Sequence, residues 1–378
     1  MVLYGLAIFI AGLYQLVMMD LFARNLGDWS AFWSGGATVG TSALTDPKLH
    51  CAFQFAHAMS CNVWTYPPGT AFLFWPLAQL PFHVSYVLAM ILFATCALIA
   101  GVVLADAYVM PRWFGALAAI AWAPIKLAVI NGQNETFALL LISLAILSAR
   151  ADRKVLLGLT VGALLYKPTI GLPFAALLLM RREWRASCVV LLCGIFWYWA
   201  SVIGAGGQWS WPAQYLATLH AFAHGDFIEN ASRSVGLPDL LMAAGVTMPI
   251  AVGIGIALFV VAIPRLLRAD LVSSLAIVSL LCVAISPHAW HYAAAVALPA
   301  VFYVLRNVEN PARTWIVGFA YVVGAVSLIN LPGITNWNPE AIVVLGLTVV
   351  VLWPGPTTRI WPARAETVAH VPEHQGPS

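Results

Sequence analysis

The feature that most limits what this chain can fold into is a succession of apolar stretches, each 15 to 24 residues long, separated by short polar turns. A helix crossing ~30 Å of hydrocarbon needs roughly 20 apolar residues. Spans of that kind lie near 2–22, 82–105, 113–130, 135–149, 186–204, 241–263, 271–286, 291–305, 314–330 and 339–353. Hydrophobic residues make up 62% of the 378 and charged residues 9%, against roughly 45–50% and about 25% in soluble domains. The expected fold is therefore an all-α polytopic membrane protein. A formal charge of +3 on scattered basic residues offers no patch for nucleic acid. The apolar N-terminus, Val2 to Met19, lacks a basic leader and a clear cleavage site, so it reads as the first membrane helix and not as a signal peptide.

Two stretches do not read as simple spans. Pro67 to Leu80 is apolar but short and interrupted by Pro76, which suits a segment lying at the interface or dipping into the membrane. Val155 to Met180 is long for one helix, carries Lys167-Pro168 at its centre and has basic clusters at both ends. It reads as two short helices meeting at that pair, with both outer ends on one side. With these pieces the chain is expected to hold about 11–12 membrane helices, short and broken ones included.

Sidedness follows from basic residues. Loops between alternate spans hold Arg112; Arg150, Arg153 and Lys154; Arg181, Arg182 and Arg185; Arg265 and Arg268; Arg306 and Arg313, while the tail holds Arg359 and Arg364, so thirteen of the 18 basic residues share one side. The positive-inside rule makes that side cytoplasmic, with both termini. Long loops 24–66 and 205–240 then face outward, at the periplasmic or extracellular face of the cell membrane. Residues 1–353 are expected to form one transmembrane domain, and the polar, proline-containing segment 354–378 a disordered tail.

The outward polar residues are the candidates for chemistry. Asp28 stands a few residues past the first span, beside Trp29 and Trp33; a carboxylate at a membrane face can be desolvated enough to act as a base, or can simply end a helix. Asp20 and Asp46 compete, but Asp46 sits in DPK, an ordinary loop sequence. In SPHAWHY, His288 and His291 are three apart and share one face if helical, fit to orient a base or bind phosphate, or else to anchor at the interface. Lys167, between two apolar helices, is costly unless it faces a polar cavity or an anion; snorkelling is the alternative. Lys126 and the turn Asn131-Gly132-Gln133-Asn134-Glu135 either join that site or cap helices. In the second long loop, His224, Asp226, Glu229, Asn230 and Arg233 are acceptor contacts or solvated residues. Cys51 and Cys61 either bridge or remain free thiols.

In order, GDWSAFWSGG, YPPGTAFLFWPLAQLPF, NGQNETFALLLISLAILSAR, GLTVGALLYKPTIGLPFAALLLMRREWRA and SPHAWHY resemble glycosyltransferase family 87, from about residue 20 to residue 305. Asp28 and the Phe32-Trp33 pair match the first outer loop of that family, while Thr45-Asp46 departs from its later part. The resemblance implies a GT-C type helix bundle that moves a sugar, mannose above all, from a polyprenyl-phosphate donor to a glycan or glycolipid hydroxyl. Asp28 becomes the general base. Lys167, Lys126, Arg233, His288 and His291 fall to the donor phosphate and its surroundings; Trp29, Trp33, Tyr66, Asn134 and Glu135 fall to the acceptor. No metal or other cofactor is expected, because a neutralised phosphate leaves unaided. The rival class is a secondary transporter using the same polar residues as a pathway, but the chain shows no symmetry between its halves and its polar residues gather on one face.

Overall fold

A computed structural model describes residues 28–230, 234–307, 315, 317–323 and 339–352. The expected spans near 2–22 and most of 314–330, the tail, and Asp20, Arg24 and Arg233 lie outside the described residues. What is described is helical, with no strand beyond one isolated bridge between Ser234 and Trp290.

Two short helices of the first loop, α1 (Trp29–Thr38) and α2 (Pro47–Ala56), precede the bundle. Then come α3 (Phe82–Tyr108), α4 (Arg112–Ala121), α5 (Ala123–Ile130), α6 (Glu135–Arg150), α7 (Lys154–Ala163), α8 (Pro168–Met180) and α9 (Trp184–Gly204). The second long loop folds as α10 (Trp211–Asn230), and α11 (Leu237–Ala243), α12 (Met248–Arg268), α13 (Leu271–Ala284), α14 (Leu298–Asn307) and α15 (Pro339–Leu352) complete the chain.

Among the described residues, only α3, α9 and α12 are long and apolar enough to cross a membrane alone; α4 and α5, bent by 65°, count as a fourth span if taken together. Several of the other apolar helices are short, and prolines stand at breaks between them. Pro124 follows the bend at Trp122, and Pro168 opens α8 directly after Lys167. Pro287 sits in the irregular stretch between α13 and the tight helical turns His291–Ala297. Proline lacks the N–H that would continue a helix through each site. The span expected at 241–263 is displaced, with α12 running to Arg268 and a break before Met248.

The hydrophobic pattern sorts helices into an outer and an inner set. Helices α3, α9 and α12 leave Ile91, Leu191, Phe196 and Val261 exposed, as lipid-facing surfaces require. By contrast α13 is buried from Ser273 to Ala284 and forms the centre of the bundle. Small residues set the close contacts: a Cβ on Gly101 of α3 would lie 2.3 Å from the carbonyl oxygen of Gly115 on α4, the close backbone approach that glycine permits between membrane helices.

The segment Val155–Met180 is a hairpin. Helix α7 runs in from Lys154, a tight turn (Leu164–Tyr166) leads to Lys167, and α8 returns. Its two outer ends meet where Lys154 pairs with Glu183 at 3.0 Å, so Lys167 lies at the tip. At that same outer end, Arg181 donates to the carbonyls of Leu266 (2.8 Å) and Ala269 (2.7 Å), and Arg150 donates to Ala107. Helix α6, about 24 Å long at 1.5 Å per residue, carries Arg150 at this basic end and Glu135 at the other. The bundle is thus polarised, with arginines at one end and the Lys167 tip at the other.

Pro67–Leu80 forms a tight 3₁₀ segment, Pro68–Leu73, and one helical turn, Trp75–Ala78. It packs on α9, where the Gly69 amide donates to Ser201 Oγ at 3.1 Å, and reaches the hairpin, where Thr70 Oγ1 donates to the Tyr166 carbonyl at 2.9 Å.

Candidate active site

At the non-basic end the first loop, the 131–135 turn, the hairpin tip, α10 and the 286–296 segment enclose a cleft of about 380 Å³, within the ~300–1,000 Å³ usual for small-molecule sites. Its lining is mixed, with the polar Asp28, Asn62, Tyr66, Gln133, Glu135, Lys167 and Tyr292 and the apolar Ile170, Leu216, Leu219, Val283 and Val296 among the residues that form it.

Asp28 occupies the residue before α1, yet its side chain makes no capping bond to that helix. Asp46 does the opposite, accepting from the Lys48 and Leu49 amides at the start of α2 at 2.8 and 3.3 Å. One acid is therefore consumed by helix capping and the other is left for the cleft. The Asp28 backbone is pinned by its own amide, which donates to the Asn131 carbonyl at 3.1 Å. Its two carboxylate oxygens accept from different amides: Asn62 Nδ2 at 3.4 Å and Gln133 Nε2. Gln133 Nε2 also donates to the Tyr292 hydroxyl at 3.0 Å. Burial raises the Asp28 pKa above its ordinary 3.8 and the Glu135 charge adds to the rise, while bonds from Gln133, Tyr292 and Asn62 oppose it. Such a carboxylate is a stronger base than a solvated one and is still held in one orientation.

Gly132 lets the turn reach this position. It adopts φ +67°, and a Cβ there would meet the Trp29 Cβ at 2.8 Å, so a larger residue is strained and would push the turn off α1.

The same turn holds the cation. Lys167 Nζ pairs with Glu135 Oε1, and Asn134 Oδ1 and the Tyr66 hydroxyl lie 3.4 Å away. The ammonium also sits 5.5 Å from the centre of the Tyr66 ring, within cation–π range. Burial and the Glu135 and Asp28 charges push the Tyr66 phenol well above its usual 10, so it stays neutral. Lys167 does not snorkel away.

Several expected site residues stand elsewhere. Trp29 is 0% exposed and Trp33 nearly as buried; they join Phe32, Trp64, Phe74 and Phe93 in an aromatic cluster under the site and do not line the cleft. An aromatic pair at a membrane face packs inward when a second layer covers it, and here α2 and Pro67–Leu80 supply that layer. Lys126 and His291 also fall outside the cleft lining, and Asn134 touches Lys167 without lining the cleft. His288 and His291 do not share a helical face, because Pro287 leaves 286–290 irregular. His288 does line the cleft, its ring 5.5 Å from Phe222 and 5.2 Å from Trp290.

Cys51 and Cys61 are bonded, with Cα atoms 4.7 Å apart. The loop they close carries Gln54, which donates to Ser34 Oγ at 2.8 Å and to the Asn62 carbonyl at 2.9 Å. Ser34 and His50 also bond, at 2.9 Å. Both are sealed from solvent, and burial pushes His50 down to about 4, so this pair is a neutral structural brace between α1 and α2 and not a nucleophile with its base.

Asn62 and Tyr292 are the contacts that reading the sequence missed, and of the two alternatives for the 131–135 turn Gln133 takes the one that joins the site. Among the described residues no three His, Cys, Asp or Glu side chains gather to hold a metal ion.

Fold and site together define a helical membrane protein with a carboxylate and a lysine facing one amphipathic cleft. The chain belongs to glycosyltransferase family 87, which it matches over residues 64–287, more than half its length, and it is thus a glycosyltransferase acting on a sugar donor and an acceptor. The matched segment includes Gln133, Glu135 and Lys167, while Asp28 precedes it and Tyr292 follows it. No curated protein and no solved structure matches the chain.

Proposed function

We propose that this glycosyltransferase moves a hexose, with mannose the expected sugar, from a polyprenyl-phosphate donor to a hydroxyl of a glycan or glycolipid. The observation that carries this reading is the pairing, in one cleft, of a base and a cation held by neighbouring residues of a single turn, with apolar residues also in the lining. A lipid-phosphate sugar has those three needs. Its chain requires an apolar groove, its phosphate a cation, and the acceptor hydroxyl a base.

In this scheme the acceptor oxygen attacks the anomeric carbon as the carbon–oxygen bond to phosphate breaks. Asp28 takes the hydroxyl proton. Polyprenyl phosphate departs with the bonding electron pair, and its charge is met by Lys167, for which the phosphate competes with Glu135. A single displacement inverts the anomeric centre, by the geometry that governs inverting glycosidases. Neither metal nor cofactor enters, since lysine supplies the electrostatic stabilisation. The arginine-rich end of the bundle is placed at the cytoplasm by the positive-inside rule, which opens the cleft to the outer face of the cell membrane.

A donor panel tests the reading. Purified protein in detergent is expected to transfer hexose from polyprenyl phosphate and release the lipid phosphate, while nucleotide sugars, which lack the apolar tail, give no product. Transfer from nucleotide sugar alone would refute it, and substrate translocation without transfer would favour the secondary transporter.

A further inference from the structure

The turn that holds Asp28 and Lys167 also presents two acceptor atoms that nothing among the described residues satisfies. Gln133 is 5% exposed and Glu135 1% exposed, and both line the cleft. The amide nitrogen of Gln133 is engaged by Asp28 and Tyr292, which fixes the amide so that Oε1 is the atom left over, and Oε1 has no partner. Glu135 places Oε1 on Lys167, and its Oε2 is likewise without a partner. A buried acceptor left unsatisfied costs about 1–3 kcal/mol, more when charged. Native proteins carry few such groups, and at a functional site a ligand or an ordered water takes up the free atom.

The chemistry of the two atoms restricts what can relieve it. Both are acceptors only in this arrangement, so the ligand group must donate. An anion is repelled by the Glu135 carboxylate and a prenyl chain offers no donor. Adjacent ring hydroxyls of a sugar offer two donors side by side, and a neutral amide next to a carboxylate is a fitting pair of acceptors for them.

We infer that Gln133 and Glu135 form a sugar-reading subsite, in which their free oxygens accept hydrogen bonds from ring hydroxyls and so decide which hexose is used. The inference rests on the glycosyl-transfer reading above and deepens it. Because the second oxygen of Glu135 already touches Lys167, the donor sugar, attached directly to the phosphate, is the source of these hydroxyls that the geometry favours. The acceptor sugar is the other source. Glu135 therefore has two roles: it shares Lys167 with the phosphate and it reads the sugar beside that phosphate.

The test compares intact polyprenyl-phosphate mannose with analogues lacking one ring hydroxyl, in wild type and in Glu135→Gln, which keeps an oxygen for Lys167 while replacing the free acceptor by a donor. Wild type is expected to use one deoxy donor about 10- to 150-fold less well than the intact donor, the size of one hydrogen bond to a charged group. In Glu135→Gln that ratio should shrink to within about 3-fold. A second arm repeats the comparison with deoxygenated acceptors; the discrimination collapsing there assigns the same pair to the acceptor sugar. A third measurement needs neither variant nor turnover: thermal stabilisation of wild type by the intact donor should exceed that by the critical deoxy donor, since tighter binding to the folded state raises its stability. Equal loss of rate on every analogue in Glu135→Gln, with equal stabilisation by all donors, would overturn the subsite alone. A chain that neither transfers sugar nor is stabilised by any lipid-phosphate sugar loses both this assignment and the reading it rests on.

Discussion

Asp28→Asn is expected to reduce sugar transfer by about 10²- to 10⁴-fold at unchanged donor affinity, the contribution of a positioned general base. The fold should survive the change. Two opposing effects act on stability: the carboxylate gives up bonds from Gln133 and Asn62, worth roughly 1.5–3 kcal/mol for a charged acceptor, and the cost of burying an ionised group disappears. The pH dependence supplies a second readout. Burial and Glu135 hold the Asp28 pKa above 3.8, and the base works only when deprotonated. The rate should therefore fall as pH is lowered through that raised pKa, not through the range of a solvated aspartate. The sign for stability is the reverse: a group whose folded pKa is raised favours the folded state when protonated, and that contribution is lost as pH rises through the folded pKa. Measuring transfer and unfolding across one pH series separates the two. An Asp28→Asn protein as active as wild type would place the base elsewhere.

The second large effect concerns Lys167. Removing its charge should lower transfer by about 10²- to 10³-fold, as loss of one preorganised electrostatic contact to a leaving group does. A single Lys167→Met change is a poor probe by itself, because it leaves Glu135 buried and unpaired; breaking a buried pair from one side costs about 3–5 kcal/mol. The double variant Lys167→Met with Glu135→Gln removes both charges. It is expected to fold and unfold like wild type in detergent while remaining defective with the intact lipid-phosphate donor. If the double variant regains wild-type transfer, Lys167 serves only to neutralise Glu135 and has no part in holding the phosphate.

Much of this arrangement is legible in the amino-acid order because charge inside an apolar pattern is conspicuous. The Lys167-Pro168 pair marks the hairpin tip: proline stops the incoming helix and a lysine at that depth needs an anion or a polar cavity. The structure adds the Lys154–Glu183 pair that closes the hairpin at its base. Asp28 is conspicuous for the same reason, as an acid after an apolar span. Residues without charge are less conspicuous. Gln133 and Asn62 are ordinary loop residues until folding brings them 105 and 34 positions across the sequence to Asp28. The polar run NGQNE between two apolar helices was the available signal for Gln133, whereas Tyr292 had none beyond its place after a broken helix. Burial of Trp29 and Trp33 was equally hidden, since an aromatic residue at a membrane face can line a cleft or fill the layer beneath it, and only the packing of Phe74 and Phe93 against Trp29 decides. Helical periodicity misplaced His291 because Pro287 removes the helix on which that periodicity depends.

Both predicted defects, and the subsite carried by the same turn, depend on one displacement at the anomeric carbon with Asp28 on the acceptor side and Lys167 on the phosphate side. The measurement that tests this most directly is the anomeric configuration of the product formed by purified wild-type protein from a β-linked polyprenyl-phosphate hexose, read by NMR on the new glycoside. The account predicts an α-glycoside, with polyprenyl phosphate released one for one. A β-glycoside would contradict it, because retention requires two displacements and a nucleophile on the side where Asp28 is assigned the acceptor's proton.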